Sequence, residues 1–353
     1  MLDARGVWWV KEAERLDASD PLAPLRDRFV LPDGLVYLDG NSLGAMPKAV
    51  AARVAGAVSH EWGEGLVRSW NDAGWIDLPR RVGDRIARLV GAGPGEVVCT
   101  DSTSVNVFKV LSAALALRPG RSTILSEEGN FPTDLYMAEG LARLVGDGRR
   151  LRLVPKGEIL SALDGDTAVL LLTHVDYRTG ERHDLPAVTR AAHAAGALAI
   201  WDLAHTAGAM PVDLTASGAD FAVGCGYKYL CGGPGAPAFL WVAPRNQETF
   251  VQPLSGWLGH AEPFAFEPGY RPAAGVSRFL CGTPPILSMT ALDAALDVLL
   301  EADLALVRGK SERLTSFFVE AVEQLCGDAV RLVSPREPSR RGSQVSFSHP
   351  DGY

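Results

Sequence analysis

The chain has 353 residues, 47% hydrophobic and 22% charged; this is the balance of a globular protein with room for two domains of roughly 150 residues each, and it excludes disordered and collagen-like chains. Its 34 Lys+Arg against 42 Asp+Glu leave a formal charge of -8, so no general basic footprint exists for a nucleic-acid backbone or an anionic membrane, and small-molecule chemistry becomes the expectation. No apolar run approaches the roughly 18 residues of a bilayer span, and the richest, residues 191–212, is broken by His193, Asp202 and His205.

Residues 1–11 lack the basic and apolar regions of a secretory signal, which makes the cytoplasm the expected location. Residues 1–50 read as an N-terminal segment, 51–285 as a large domain and 286–353 as a small C-terminal one. From 95 to 244, short β-rich apolar runs alternate with helical stretches, the pattern of a mainly parallel sheet with helices on both faces. Strands are predicted over 97–100, 122–126, 151–154, 168–175, 198–202, 221–224 and 238–242, with helices over 103–117, 132–144 and 186–195. A connector rich in Pro, Gly and aromatics, 253–285, leads to amphipathic helices at 286–305 and 308–326 and to short strands at 330–333 and 344–348. That tail reads as a smaller α+β domain, and an incomplete one, because the sequence stops just after a strand without the elements that would cover its sheet. Five cysteines (Cys99, Cys225, Cys231, Cys281, Cys326) with no CxxC pair argue against a disulfide framework or a metal site.

In an α/β sheet, ligands sit at the carboxyl ends of the strands. Asp101-Ser102-Thr103-Ser104 follows the first predicted strand and opens a helix, a place suited to phosphate and equally to ordinary N-caps. The apolar strand 198–202 ends in Asp202, with His205 three residues on. A buried aspartate is costly unless it meets a cation or hydrogen-bond donors, although strand-end aspartates also cap turns and His205 could be a core histidine. Strand 221–224 runs through Gly226 into Tyr227-Lys228-Tyr229 and then Cys231-Gly232-Gly233-Pro234-Gly235. Of the six lysines (Lys11, Lys48, Lys109, Lys156, Lys228, Lys310), only Lys228 ends an apolar strand among glycines, where a planar ligand could approach and a Schiff base could form; Lys109 reads as mid-helix. An aspartate for a pyridinium nitrogen, a lysine for a Schiff base and a helix N-terminus for a phosphate are what a pyridoxal-phosphate protein supplies. No GxGxxG follows the first strand, which disfavours a nicotinamide cofactor.

Further motifs extend this set: Tyr37-Leu38-Asp39-Gly40-Asn41-Ser42-Leu43-Gly44, Asn130-Phe131-Pro132-Thr133-Asp134, His174-Val175-Asp176-Tyr177-Arg178-Thr179-Gly180, Trp201-Asp202-Leu203-Ala204-His205, Gly226-Tyr227-Lys228-Tyr229-Leu230 and Arg341-Gly342-Ser343-Gln344. In order and spacing they resemble the kynureninase family, fold type I pyridoxal-phosphate enzymes of the aminotransferase class V group, from about Glu14 to the end of the chain. The resemblance implies that Lys228 links to the cofactor, Asp202 holds its ring nitrogen and Phe131 stacks on the ring. It further implies that Thr103, Ser104 and Tyr227 bind the phosphate and that Asp134, Thr173 and His205 orient the ring. Trp257 and Thr283 would reach the phosphate from the neighbouring subunit of a homodimer with shared sites. The implied reaction is hydrolysis of L-kynurenine, or its 3-hydroxy form, to anthranilate or 3-hydroxyanthranilate and L-alanine, with Tyr227 as a proton relay, in tryptophan catabolism and NAD biosynthesis. In this family the arginine for the substrate carboxylate comes from beyond Tyr353, so no residue is assigned that role here; were the carboxylate held within the chain instead, Arg341 or Arg278 would be the candidate. Two alternatives stand beside this reading. One is a cysteine or selenocysteine lyase, for which Cys281 is the candidate acceptor, and the other is a non-catalytic pyridoxal-phosphate-fold protein.

Overall fold

The structure, a computed structural model, describes residues 4–250 and 252–352. Seven strands form the central sheet: β1 (Val97–Cys99), β2 (Thr123–Glu127), β3 (Arg150–Val154), β4 (Thr167–Thr173), β5 (Leu198–Asp202), β6 (Phe221–Gly224) and β7 (Phe239–Val242). Their spatial order is β1-β7-β6-β5-β4-β2-β3, and β7 runs antiparallel to both neighbours while the other pairings are parallel. All seven predicted strands are present. The stretch expected at 168–175 leaves the sheet at Thr173, because Val175 pairs with Arg182 in a separate bridge.

The central strands are apolar between their ends because both faces are covered, as parallel sheets require. Side-chain alternation divides them between two cores: Leu170, Leu172, Ala199 and Trp201 point to one face, Val169, Leu171, Leu198 and Ile200 to the other. Helices Thr103–Ala116 and Pro132–Val145 cover the second face with Val107, Val110, Leu111 and Leu141. The first face takes helix Leu185–Ala194 and also helix Leu78–Val90, whose Leu78, Val82, Ile86, Leu89 and Val90 make one apolar stripe closed by Gly91 at φ +64°.

In the tail, helix Ile286–Glu301 places Met289, Leu292 and Leu296 in the same core as Trp201. Helix Leu304–Cys326 buries only Thr315 and Val319, and β8 (Arg331–Leu332) pairs antiparallel with β9 (Phe347–Ser348). The segment between them hooks back to the large sheet: Gly342 N–H donates to the Gly180 carbonyl at 2.7 Å, and Glu181 bridges Arg341. This hook delivers Gln344 to the strand ends. Among the described residues, no helix is long and apolar enough to cross a membrane.

Candidate active site

Parallel register brings Thr173 and Asp202 level at the carboxyl ends of β4 and β5. Asp202 is buried; its Oδ1 accepts the Ala204 N–H at 2.8 Å, and burial pushes its pKa up to about 6 against the opposing pull of that N–H and the Lys228 charge. Asp134 stands in the first turn of helix Pro132–Val145, equally buried, and neither of its carboxylate oxygens has a hydrogen-bond partner. Burial first, and then the charge of Asp202, pushes its pKa up. Asn130 sets the local geometry. Its Oδ1 accepts from Thr173 Oγ1 (2.5 Å) and from the Phe131 N–H (2.8 Å), and its Nδ2 donates to Ser126 Oγ (3.0 Å), so the ends of β2 and β4 are tied together and Phe131 is aimed. The Phe131 ring, 37% exposed, meets Tyr177 edge-on at 5.2 Å.

A directed chain of hydrogen bonds holds the lysine. Lys228 Nζ donates to His205 Nε2 (2.8 Å), His205 Nδ1 donates to Gln344 Oε1 (2.9 Å), and Gln344 Nε2 donates to the Tyr177 carbonyl (2.7 Å). Burial and the Lys228 charge hold the His205 pKa down at about 4, so the imidazole is neutral at neutral pH, with its Nε2 lone pair turned to the lysine. Lys228 Nζ lies 5.7 Å from the Phe131 ring centroid and 6.0 Å from that of Tyr227. Burial pushes the Tyr227 phenol up to about 12, which keeps it protonated. The N-terminal segment closes over this loop: Gly44 N–H donates to the Tyr227 carbonyl at 2.9 Å, and a Cβ on Gly44 would overlap Lys228 O and Cys231 Sγ.

Helix Thr103–Ala116 begins after Ser102, whose Oγ accepts from the Val105 N–H at 3.3 Å. The N–H groups of its first turn have no acceptor within the helix. They open on a cavity of about 820 Å³ lined by Thr103, Ser104, Phe131, Asp134 and Tyr227, with Leu43 from the N-terminal segment. Asp202, Thr173, His205 and Lys228 adjoin these residues through the contacts above. The cavity brings a buried carboxylate, a flat ring and a helix N-terminus together, and the Lys228 amine and the Asp202 carboxylate lie next to its lining, a set that suits a planar heterocycle bearing a phosphate.

The chain is similar to known proteins over most of its length. The profile of the aminotransferase class-V family matches residues 36–352. A kynureninase from Pseudomonas fluorescens is 57% identical over 344 residues, which is 96% of this chain and 83% of that protein. One from Burkholderia pseudomallei strain 1106a is 55% identical over 349 residues, 97% of this chain and 84% of its own length. The chain belongs to the kynureninase family. Among solved structures, the apo cysteine desulfurase of Thermococcus onnurineus superposes with a TM-score of 0.77 at 22% identity, covering 94% of this chain and 82% of its own. A C-DES mutant with glycine covalently linked to its PLP cofactor gives 0.80 at 18%, covering 92% and 86%. At those identities the likeness is one of fold.

Other residues singled out from the sequence lie elsewhere in this kynureninase-family chain. Trp257 and Thr283 do not line the cavity; they bond to each other (Nε1 to Oγ1, 3.3 Å), Trp257 packs edge-on to Trp70 at 5.5 Å, and Thr283 is exposed. Arg341 and Arg278 are both buried and committed: Arg341 donates to Thr315 Oγ1, Ser316 Oγ and the Pro335 carbonyl, Arg278 to Glu248 and the Ala273 and Phe250 carbonyls. Neither guanidinium is free to turn to a ligand in the cavity. Cys281 is half-buried and its backbone is pinned, its carbonyl accepting the Leu258 N–H at 3.1 Å. Asn130, Gln344 and Gly44 belong to the site, although their motifs alone gave no reason to assign them a role.

Proposed function

We propose that this chain uses pyridoxal 5'-phosphate to hydrolyse L-kynurenine, or its 3-hydroxy form, to anthranilate or 3-hydroxyanthranilate and L-alanine. The observation that carries this reading is the 55–57% identity, across nearly the whole chain, to proteins named kynureninase. The residues present suit the cofactor. Asp134 is buried with two carboxylate oxygens lacking partners, which a polar ligand in the adjoining cavity would supply, and Asp202 is a buried carboxylate poised for a cationic ring nitrogen.

The residue roles are those that the family resemblance implies. Lys228 would be the attachment point, Asp202 would hold the protonated ring nitrogen, and Phe131 would stack on the ring. Thr103, Ser104 and Tyr227 take the phosphate, while Asp134, Thr173 and His205 orient the ring. When bound, the cofactor supplies a covalent link to the amino acid and a ring that draws electrons from its Cα. Lys228 Nζ, positioned by neutral His205, removes and later returns the Cα proton. The protonated Tyr227 hydroxyl relays a proton when water cleaves the Cβ–Cγ bond. Trp257, half-buried, and Thr283, exposed, are paired away from the cavity of their own chain and serve the site of a second copy in a homodimer. The setting is tryptophan catabolism and NAD biosynthesis in the cytoplasm.

Borohydride reduction of the cofactor-treated protein, followed by peptide mapping, tests the attachment. The expected adduct is on Lys228 and is lost in Lys228→Ala. An adduct on another lysine, or none in the unaltered protein, would overturn the reading.

A further inference from the structure

The anion-suited turn of this site contains an awkward residue. Asp101 precedes the Ser102 cap and lines the same cavity as Thr103 and Ser104, so it puts a carboxylate beside the place proposed for the phosphate. Its backbone sits at φ +48°, a left-handed conformation uncommon outside glycine. A negative charge there would repel a phosphate, and a free turn would abandon that backbone angle.

Lys109 answers both difficulties. It is fully buried in helix Thr103–Ala116, and its Nζ donates to Asp101 Oδ2 at 2.5 Å and to the Phe279 carbonyl at 2.5 Å. The same Oδ2 accepts from Thr100 Oγ1 at 2.8 Å, and the Asp101 carbonyl accepts the Ala238 N–H at 2.9 Å. Asp101 is thus clamped at side chain and backbone, and its charge is cancelled from the protein side. The bond to Phe279 also ties the turn to the short helix Gly275–Phe279, four residues before Thr283. An ammonium is rarely placed in a core unless something there needs its charge.

We propose that Lys109 is a positioning residue for the cofactor phosphate: a buried counter-ion that neutralises Asp101 and holds the turn whose N–H groups receive the phosphate. The proposal rests on the pyridoxal-phosphate reading above.

The test compares the unaltered protein with Lys109→Met and Asp101→Asn. Each is stripped of cofactor and titrated with pyridoxal 5'-phosphate, with pyridoxal, which has the same ring and aldehyde but no phosphate, and with inorganic phosphate as competitor. Lys109→Met is expected to weaken pyridoxal 5'-phosphate by roughly ten-fold or more, the scale of one uncancelled charge at an effective dielectric of about 20, while pyridoxal stays within about two-fold. Asp101→Asn keeps the turn, since asparagine accepts the left-handed region, and frees the Lys109 charge, so inorganic phosphate should bind at least as tightly as to the unaltered protein. Unchanged cofactor affinity in Lys109→Met with only a lower melting temperature, or equal weakening of both aldehydes, would overturn the proposal. So would weaker phosphate binding in Asp101→Asn, which decides the matter alone if Lys109→Met does not fold. Failure of the cofactor reading would register separately, as absence of the borohydride adduct in the unaltered protein.

Discussion

Replacing His174 with asparagine should make the protein measurably less sensitive to mild acid. His174 follows β4, 4% exposed, with its Nδ1 at 2.9 Å from Thr206 Oγ1 and its ring edge-on to Trp201 at 6.1 Å. Burial pushes its pKa from 6.5 down to about 3, so below about pH 6.5 the unfolded chain binds a proton there that the folded chain refuses. The stabilisation is therefore complete above about pH 6.5 and is lost as the pH falls towards about 3. From pH 7.5 to 5.5, this one imidazole costs about 1.4 kcal/mol of folding free energy. His205, held down at about 4, acts in the same direction, whereas Asp202, raised to about 6, acts in the opposite one because it takes up a proton on folding. Both contributions are common to the two proteins and cancel in their difference. Asparagine keeps a polar atom near Thr206 but cannot titrate. Urea unfolding at the two pH values, with the same saturating cofactor throughout, should show the unaltered protein losing about 1.4 kcal/mol more than His174→Asn. Equal losses would refute the claim that a buried neutral imidazole at this position is linked to folding.

Three further outcomes are expected. Gly44→Ala should cost about 1–3 kcal/mol of stability through overpacking against the lysine loop, and should slow borohydride trapping at Lys228, since the new Cβ meets Lys228 O and the Cys231 backbone; a trapping rate equal to that of the unaltered protein would show that the loop is not held by this contact. Asp202→Asn should retain the cofactor yet lose turnover by on the order of a hundred-fold or more, because an amide cannot stabilise a cationic ring nitrogen; steady-state kinetics at saturating cofactor read this directly. Mixing Lys228→Ala subunits with Trp257→Ala subunits should restore one working site per heterodimer, and the absence of activity in verified heterodimers would place each site within one chain.

What could be read from the sequence depended on the range of the interaction responsible. The strands of the central sheet are short apolar runs, and Asp202, Lys228 and the turn at Asp101 stand out because they end such runs. Strand order was not legible: β7 inserts between β1 and β6, a pairing that no local pattern encodes. Helix Leu78–Val90 carries a clear stripe (Leu78, Val82, Ile86, Leu89) that is legible as helical periodicity. Gln344 reaches His205 across 139 positions, and only the backbone hook at Gly342 and Gly180 brings it there. The sequence places Lys109 mid-helix and leaves its role illegible, because its partner Asp101 lies eight positions away, outside the helical i,i+4 spacing, in the turn that precedes the helix. Arg341 and Arg278 were plausible carboxylate ligands by type alone; burial and saturated hydrogen bonding remove them from that role.

Hydrolysis of kynurenine at Lys228 is tested by product formation from the purified, cofactor-loaded chain. L-kynurenine is supplied, anthranilate is followed by its fluorescence, and alanine is quantified in the same samples. The unaltered protein should release anthranilate and alanine in equal amounts, and Lys228→Ala neither. Unaltered protein with cofactor shown to be attached at Lys228 that releases neither product, from L-kynurenine or from its 3-hydroxy form, would contradict it.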